Sequence, residues 1–112
     1  MDLADSYQSL VRIYGKLEDD QKAIEYGSKV LNIRRIRLGE PHVKTADSYY
    51  ILAELFEAIG EYQRALRYYG KSVDIYRFLM RREYDENLEK GIEIVKSDMN
   101  RCQSNLVKNF RS

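Results

Sequence analysis

Apolar residues recur at helical spacing in four successive segments of the chain, and polar residues fill the positions between them. In the first segment Tyr7, Leu10 and Val11 lie at i, i+3 and i+4, and Tyr14 follows at i+7. This spacing places the four side chains on one face of an α-helix. The same pattern returns in the three segments that follow. It predicts helices at about residues 3–16, 20–37, 41–59 and 61–80.

Cap and turn residues set the ends of these helices. Asp19 is the expected N-cap of the second helix, because a short acidic side chain can accept a hydrogen bond from the first turn. The arginine-rich end of that helix is followed by Gly39, which is a typical stop signal. Pro41 is expected in the first turn of the third helix, where its missing N–H costs nothing. Gly60 is the predicted turn before the fourth.

A fifth helix is predicted at about residues 85–109, and its apolar positions alternate between spacings of four and three. That spacing is typical of a heptad seam, the apolar stripe through which helices pair. The seam residues are Leu88, Ile92, Val95, Met99, Cys102 and Leu106. This helix can fold back as a cap on the fourth helix, or it can form a coiled coil with a second copy or another protein. The cap is favoured, because an uncovered fourth helix would expose a large apolar patch.

The first two helices and the next two repeat each other at an offset of 42 residues. The tetrad Ala-Asp-Ser-Tyr at residues 4–7 returns at 46–49, and eleven of the 37 pairs between 4–40 and 46–82 are identical. A fixed period in this range indicates stacked helix pairs, since no single pair can bury its apolar face alone. We expect an all-α fold in one domain, residues 1–112, with repeat 1 at 4–40, repeat 2 at 46–82 and a C-terminal capping helix at 85–109.

The composition of the chain argues against several classes of partner. Nineteen basic and eighteen acidic residues leave a net charge of +1, which offers no bulk attraction to nucleic acid or to an anionic membrane. Arginines at the ends of the second and fourth helices are explained by the helix dipole, so RNA binding is not expected. No apolar run is long enough to span a membrane.

The single cysteine and the N-terminal residues indicate a compartment. Cys102 cannot form an internal disulfide, and the first residues lack the basic start and apolar core of a signal peptide. We expect a cytoplasmic protein, with association to the cytoskeleton or a cilium as a further option.

The repeats resemble the tetratricopeptide repeat, and within that family the 42-residue variety found in kinesin light chains. The residues of repeat 2 that follow the family's helix-turn-helix spacing are Tyr49, Leu52, Ala53, Phe56, Gly60, Tyr62, Ala65 and Tyr69. Repeat 1 departs from it, because Glu18 stands at the turn glycine and Gly27 at an aromatic position. The resemblance implies a right-handed superhelix of antiparallel helix pairs, whose first helices line a concave groove that binds a peptide or a partner helix.

The groove face implied by this resemblance consists of the positions on the two first helices that the core does not use. They are Asp5, Gln8, Arg12 and Lys16 on the first helix, and Asp47, Tyr50, Glu54 and Glu57 on the third. These residues would place a basic strip beside an acidic one. The same residues also fit an ordinary solvated helix face, whose charges pair weakly. The family's lysine/asparagine clamp for a terminal carboxylate has no counterpart here.

Nothing in the sequence predicts catalysis, a metal or a cofactor. His42 is the only histidine and is expected to cap or pack the connector between the repeats. Cys102 lies on the apolar seam, far in sequence from that histidine, and is expected to be a small core residue.

Two functions therefore compete. The first is a non-catalytic scaffold for protein–protein interaction, which binds a protein or peptide partner in the groove. The second is a structural subunit of a larger motor, microtubule or ciliary assembly, which docks through the heptad seam and the ends of the array. Two repeats are fewer than the three that stability usually needs, so we expect the chain to be part of a longer array or of a complex.

Overall fold

In the computed structural model, which describes residues 2–111, the chain forms five α-helices, and this part of the chain contains no strand. The helices are α1 (Leu3–Lys16), α2 (Asp20–Leu38), α3 (Val43–Ala58), α4 (Tyr62–Arg82) and α5 (Glu86–Arg111). Met1 and Ser112, which the predicted domain includes, lie outside the described residues. The all-α class and the helical-repeat architecture are confirmed.

The predicted helix ends agree with the structure to within two residues, and the start of α3 is the end at which a predicted residue role is wrong. The Asp19 carboxylate accepts a hydrogen bond from the Lys22 N–H at 3.2 Å, which confirms it as the N-cap of α2. The prediction that Pro41 begins α3 is wrong, because His42 still has an extended backbone at φ −136° and ψ 143°. His42 is itself the N-cap of α3, and its Nδ1 accepts from the Lys44 N–H at 3.0 Å.

The helices pack in chain order, each against the one before it and the one after it. Small side chains allow the close approach of neighbours, and Ala23, Ala53 and Ala65 are fully buried. Gly27 of α2 serves the same purpose, since a Cβ there would lie 3.0 Å from Cδ2 of Leu52 on α3. The glycine in place of an aromatic residue in repeat 1 thus allows the close contact between the repeats.

An aromatic stack in repeat 1 joins α1 to α2. The Tyr26 ring lies 5.6 Å from the rings of both Tyr7 and Tyr14, and it is stacked with each of them. Lys29 places its ammonium 5.9 Å from the centre of the Tyr7 ring. Such ring pairs and cation–π contacts add to the burial that holds two helices together.

The same stack returns in repeat 2, at positions 42 residues later. The Tyr68 ring lies 5.8 Å from Tyr49 and 5.2 Å from Phe56. Lys71 lies 5.8 Å from the Tyr49 ring, as its counterpart does in repeat 1. The period in the sequence is therefore a period in side-chain packing.

The last helix, α5, packs along α4 and closes that end of the stack. Ile92, Val95 and Cys102 are buried in the main apolar core, and the Cys102 thiol lies 3.5 Å from the carbonyl of Tyr62. The predicted capping helix is confirmed as part of the fold, and Cys102 is the small core residue that its position on the seam predicts.

Candidate functional site

The predicted groove residues of α1 keep their polar side chains available. Asp5, Arg12 and Lys16 are exposed, and Gln8 is half-buried. Within residues 2–111 these four side chains make no hydrogen bond or ion pair with another side chain. Among the described residues, the predicted groove side chains of α1 are therefore unpaired.

The predicted groove residues of α3 are, in contrast, mostly engaged with α4 and α5. Asp47 accepts a hydrogen bond from the Tyr76 hydroxyl at 2.8 Å, and Glu57 accepts one from the Tyr69 hydroxyl at 2.8 Å. The Tyr50 hydroxyl donates to the carboxylate of Asp98 on α5. Its ring also packs against Tyr69, with 5.6 Å between the centres.

An arginine of α5 completes this polar network. Arg101 donates to both carboxylate oxygens of Glu57, at 3.0 and 2.9 Å, and to Asp98 at 2.8 Å. A bidentate arginine–carboxylate pair fixes both partners in orientation as well as in distance. Neither Asp98 nor Arg101 is among the predicted groove residues. Their spacing of three on the polar face of α5 is the only sign of them in the sequence.

Charge and burial shift the protonation of the groups in this network. The hydrogen bond from Arg101 lowers the pKa of Glu57. Glu54, one turn earlier, is exposed as a residue, but partial burial of its carboxylate raises its pKa and the charge of Asp98 raises it further. Burial, followed by the hydrogen bond to Asp98, raises the pKa of Tyr50, so its hydroxyl remains a donor.

The predicted groove residues of α3 and of α1 thus differ in the contacts that hold their side chains. On α3 the aromatic ring of Tyr50 and the carboxylate of Glu57 are held by α5 through Asp98 and Arg101. On α1 no such contact holds the side chains. The predicted groove residues thus form a held set on α3 and an unpaired set on α1.

The predicted assembly seam lies against α4. Ile92 and Val95 are buried, and Leu88 and Met99 are partly buried against the same core. Leu106, nearer the end of α5, is also partly buried. A coiled coil through these residues would require α5 to leave α4.

Other chemistry has little support in the described part of the chain. Among residues 2–111 no three or more His, Cys, Asp or Glu side chains are grouped so that they could hold a metal ion. Within the same residues, none of the helices has the length and apolar character that crossing a membrane requires.

The comparison with known protein families gives one finding that covers most of the chain. The model of the family described as Tetratricopeptide repeat matches residues 2–77, which include α1, α2, α3 and most of α4. The helix α5 lies outside the match. A comparison with curated proteins gives no match.

Proposed function

The chain belongs to the tetratricopeptide repeat family, whose members generally mediate protein–protein interaction, and we propose that it binds a peptide or a helix of a protein partner in the groove between α1 and α3. Members of the family are typically non-enzymatic scaffolds, which agrees with this role. The resemblance of this chain to the kinesin-light-chain variety remains a prediction, and so does its cytoplasmic location.

The observation that carries this proposal is the difference between the two sides of the groove. The α3 wall is fixed before any partner arrives, since Tyr50 and Glu57 are held through α5. A preorganised surface loses little conformational entropy on binding. Arg12 and Lys16 on α1 remain unpaired and exposed, and they can turn towards carboxylates of a partner.

Tyr50 is part of that wall and is therefore a poor residue for testing the groove. Replacing it with alanine would remove the contact with the Tyr69 ring and the hydrogen bond to Asp98. A loss of binding in that variant would not distinguish a lost contact with the partner from a lost stability of the fold. Arg12 has neither contact, so a change at Arg12 reports on binding alone.

The experiment measures the affinity of the intact chain for short synthetic peptides of varied charge, presented on an array and then titrated individually. For the peptide that binds best, the Arg12→Glu variant of the chain should have an affinity about tenfold or more lower, because the change reverses a charge in the groove. Circular dichroism should show unchanged helicity, since Arg12 is exposed.

The matched control is Arg67→Glu, which reverses the charge of an exposed arginine on α4. It should leave the affinity unchanged. If both variants weaken binding equally, the peptide responds only to the net charge of the chain. If both variants bind with the affinity of the unchanged chain, binding in the groove is excluded.

The structural-subunit alternative has less support in the geometry. It would dock through the heptad seam of α5 and the ends of the array, and Ile92 and Val95 of that seam are in the core. We therefore favour the groove.

A further inference from the structure

Two carboxylates offset part of the positive charge on the second helix of repeat 1. Glu25 pairs with Lys22 at 3.7 Å, and Glu40, in the connector after α2, pairs with Arg35 at 2.7 Å. Repeat 2 carries an arginine at each of the two equivalent positions, 42 residues later. These arginines are Arg67 and Arg82. In repeat 2 the two positions therefore add positive charge instead of removing it.

The basic residues of α4 are all exposed to solvent. They are Arg64, Arg67, Lys71, Arg77, Arg81 and Arg82. No ion pair among residues 2–111 includes any of them. Three of these cations lie over aromatic rings, at 5.7 to 5.9 Å from the ring centres. Such a contact orients a cation but does not neutralise it.

Most of these charges lie on one outward face of α4. The residues of this face follow one another at intervals of three and four, which is the spacing of one side of a helix. We call the face the α4 stripe, and it consists of Arg64, Arg67, Lys71, Asp74, Phe78 and Arg82. All of its side chains are exposed, and none belongs to the predicted groove. At 1.5 Å per residue the stripe is about 27 Å long.

The net charge of +1 is the sum of two unequal regions. The helix α4 has six basic residues and one acidic residue, whereas the remainder of the chain has thirteen basic and seventeen acidic ones. Exposed charges further apart than a Debye length of about 8–10 Å are largely screened, so the local field depends on the nearest charges. The α4 stripe can therefore attract an acidic partner although the chain as a whole is nearly neutral.

A pocket beside the stripe indicates which kind of acidic partner fits. It lies between the connector and α4 and has a volume of about 270 Å³. Its walls are formed by Glu40, Pro41, Lys71, Asp74, Ile75 and Phe78. The apolar walls suit an apolar side chain, whereas the two carboxylates disfavour a phosphate group. A polypeptide can place an apolar side chain between its carboxylates, but a nucleic acid carries a phosphate at every unit of its backbone.

We propose that the α4 stripe binds an acidic segment of a protein partner. Carboxylates of the segment pair with arginines of the stripe, and one apolar side chain enters the pocket. Arginine suits these pairs because its guanidinium group can bind a carboxylate through two parallel hydrogen bonds. A second copy does not fit in this way, since two α4 stripes that faced each other would oppose like charges. The surface is separate from the groove, so this inference does not depend on the proposed function.

The test uses the full chain and a fluorescently labelled peptide of about 18 residues, which spans the stripe if it is helical. The peptide consists of glutamate and alanine with one central leucine. Changing Arg67 and Arg82 together to glutamate gives repeat 2 the charges that repeat 1 has at these positions. The affinity, measured by fluorescence anisotropy, should fall about 100-fold. Binding to the unchanged chain should also weaken as the salt concentration rises.

The matched control changes Arg12 and Lys16 together to glutamate. It alters the net charge by the same amount, on exposed residues of α1, and should leave the affinity for this peptide unchanged. These responses are the reverse of those in the groove experiment, where binding depends on Arg12 and not on Arg67. Failure of one proposal is therefore distinguishable from failure of the other. Circular dichroism should show unchanged helicity in both double variants, since all four residues are exposed.

A second peptide tests the pocket. Serine in place of the central leucine should lower the affinity about fivefold, because the apolar side chain is no longer buried between Pro41, Ile75 and Phe78. Equal affinity of the two peptides would show that the pocket takes no part, and the argument for a polypeptide partner would then be wrong.

Other results would overturn the proposal. If the peptide does not bind the unchanged chain at low salt, the stripe is only a solvated face. Equal losses in the two double variants would mean that the peptide responds to the net charge of the chain. A loss in the α1 double variant alone would place the peptide in the groove. If a labelled poly(dT) oligonucleotide binds more tightly than the peptide and is released by the α4 changes, the occupant is a nucleic acid, and the acidic polypeptide is excluded.

Discussion

Repeat 1 and repeat 2 have the same register and the same aromatic stack, yet they bury their equivalent residues to different depths. Leu52 of α3 is 1% exposed, whereas its counterpart Leu10 on α1 is only partly buried. The main core includes residues of α3, α4 and α5 but only Leu31 from repeat 1. The difference arises from neighbours, because repeat 2 is covered on both sides and repeat 1 on one.

The hydroxyl groups of the tyrosines show the same contrast. In repeat 2 the Tyr69 and Tyr76 hydroxyls donate to the carboxylates of Glu57 and Asp47 at 2.8 Å. In repeat 1 the described contacts of Tyr7, Tyr14 and Tyr26 are between rings or with a lysine. Repeat 2 thus adds oriented polar contacts to the packing that both repeats share.

The largest expected effect is the loss of stability when the equivalent leucines are shortened. Leu52→Ala should lower the free energy of unfolding by about 3 kcal/mol, because it leaves a cavity in a closed core. Leu10→Ala should cost about 1 kcal/mol, since the site is partly open and loses less buried area. Urea denaturation of both variants measures the difference.

The outcome of that pair also tests the contrast between the two repeats. Equal losses in the two variants would mean that Leu10 is as deeply buried in solution as Leu52. The contrast between the repeats would then be incorrect.

A smaller effect is expected where α5 ties down repeat 2. Arg101→Gln should cost about 1 kcal/mol at pH 7, since the pair with Glu57 is partly exposed and screened by solvent. The pKa of Glu57 is lowered in the folded state, so its contribution to stability is present above the unfolded pKa of about 4.3 and is lost as the pH falls through the folded value.

The cost of Arg101→Gln should therefore shrink below about pH 4. Urea denaturation at pH 7 and at low pH measures it, with Arg77→Gln, an exposed arginine on α4, as the control. A cost that does not change with pH would show that Arg101 acts through packing alone.

The parts of the fold that depend on local pattern could be predicted from the sequence. The 42-residue period predicts the two helix pairs, and Asp19 and Gly39 mark helix ends correctly because caps act on adjacent backbone groups. The prediction for Pro41 is wrong because a proline fits either the first helical turn or the bend before it.

The candidate site could be predicted only in part, because its contacts join residues far apart in the chain. The helical period shows that Tyr50 lies outside the core face of α3, but it cannot show that Asp98, 48 residues later, lies opposite. The equivalent leucines of the two repeats make the same point. Leu52 is buried and Leu10 is only partly buried, although they occupy the same position of the repeat.

The smallest expected effect concerns the turns inside the two repeats. Glu18 has a backbone φ of 59° in repeat 1, and Gly60 has a φ of 82° at the equivalent turn of repeat 2. A residue with a side chain is strained by roughly 1 kcal/mol in this left-handed region, whereas glycine is not. Glu18→Gly should therefore stabilise the chain by at most about 0.5 kcal/mol, after the greater entropy of glycine in the unfolded state is counted. Gly60→Glu should destabilise it by a similar amount through the backbone alone, since a Cβ at Gly60 would meet no atom within 4 Å in the described chain. Urea denaturation of both variants checks the two signs. A loss of stability in Glu18→Gly would mean that repeat 1 relies on the glutamate side chain, and the two turns would then not be equivalent.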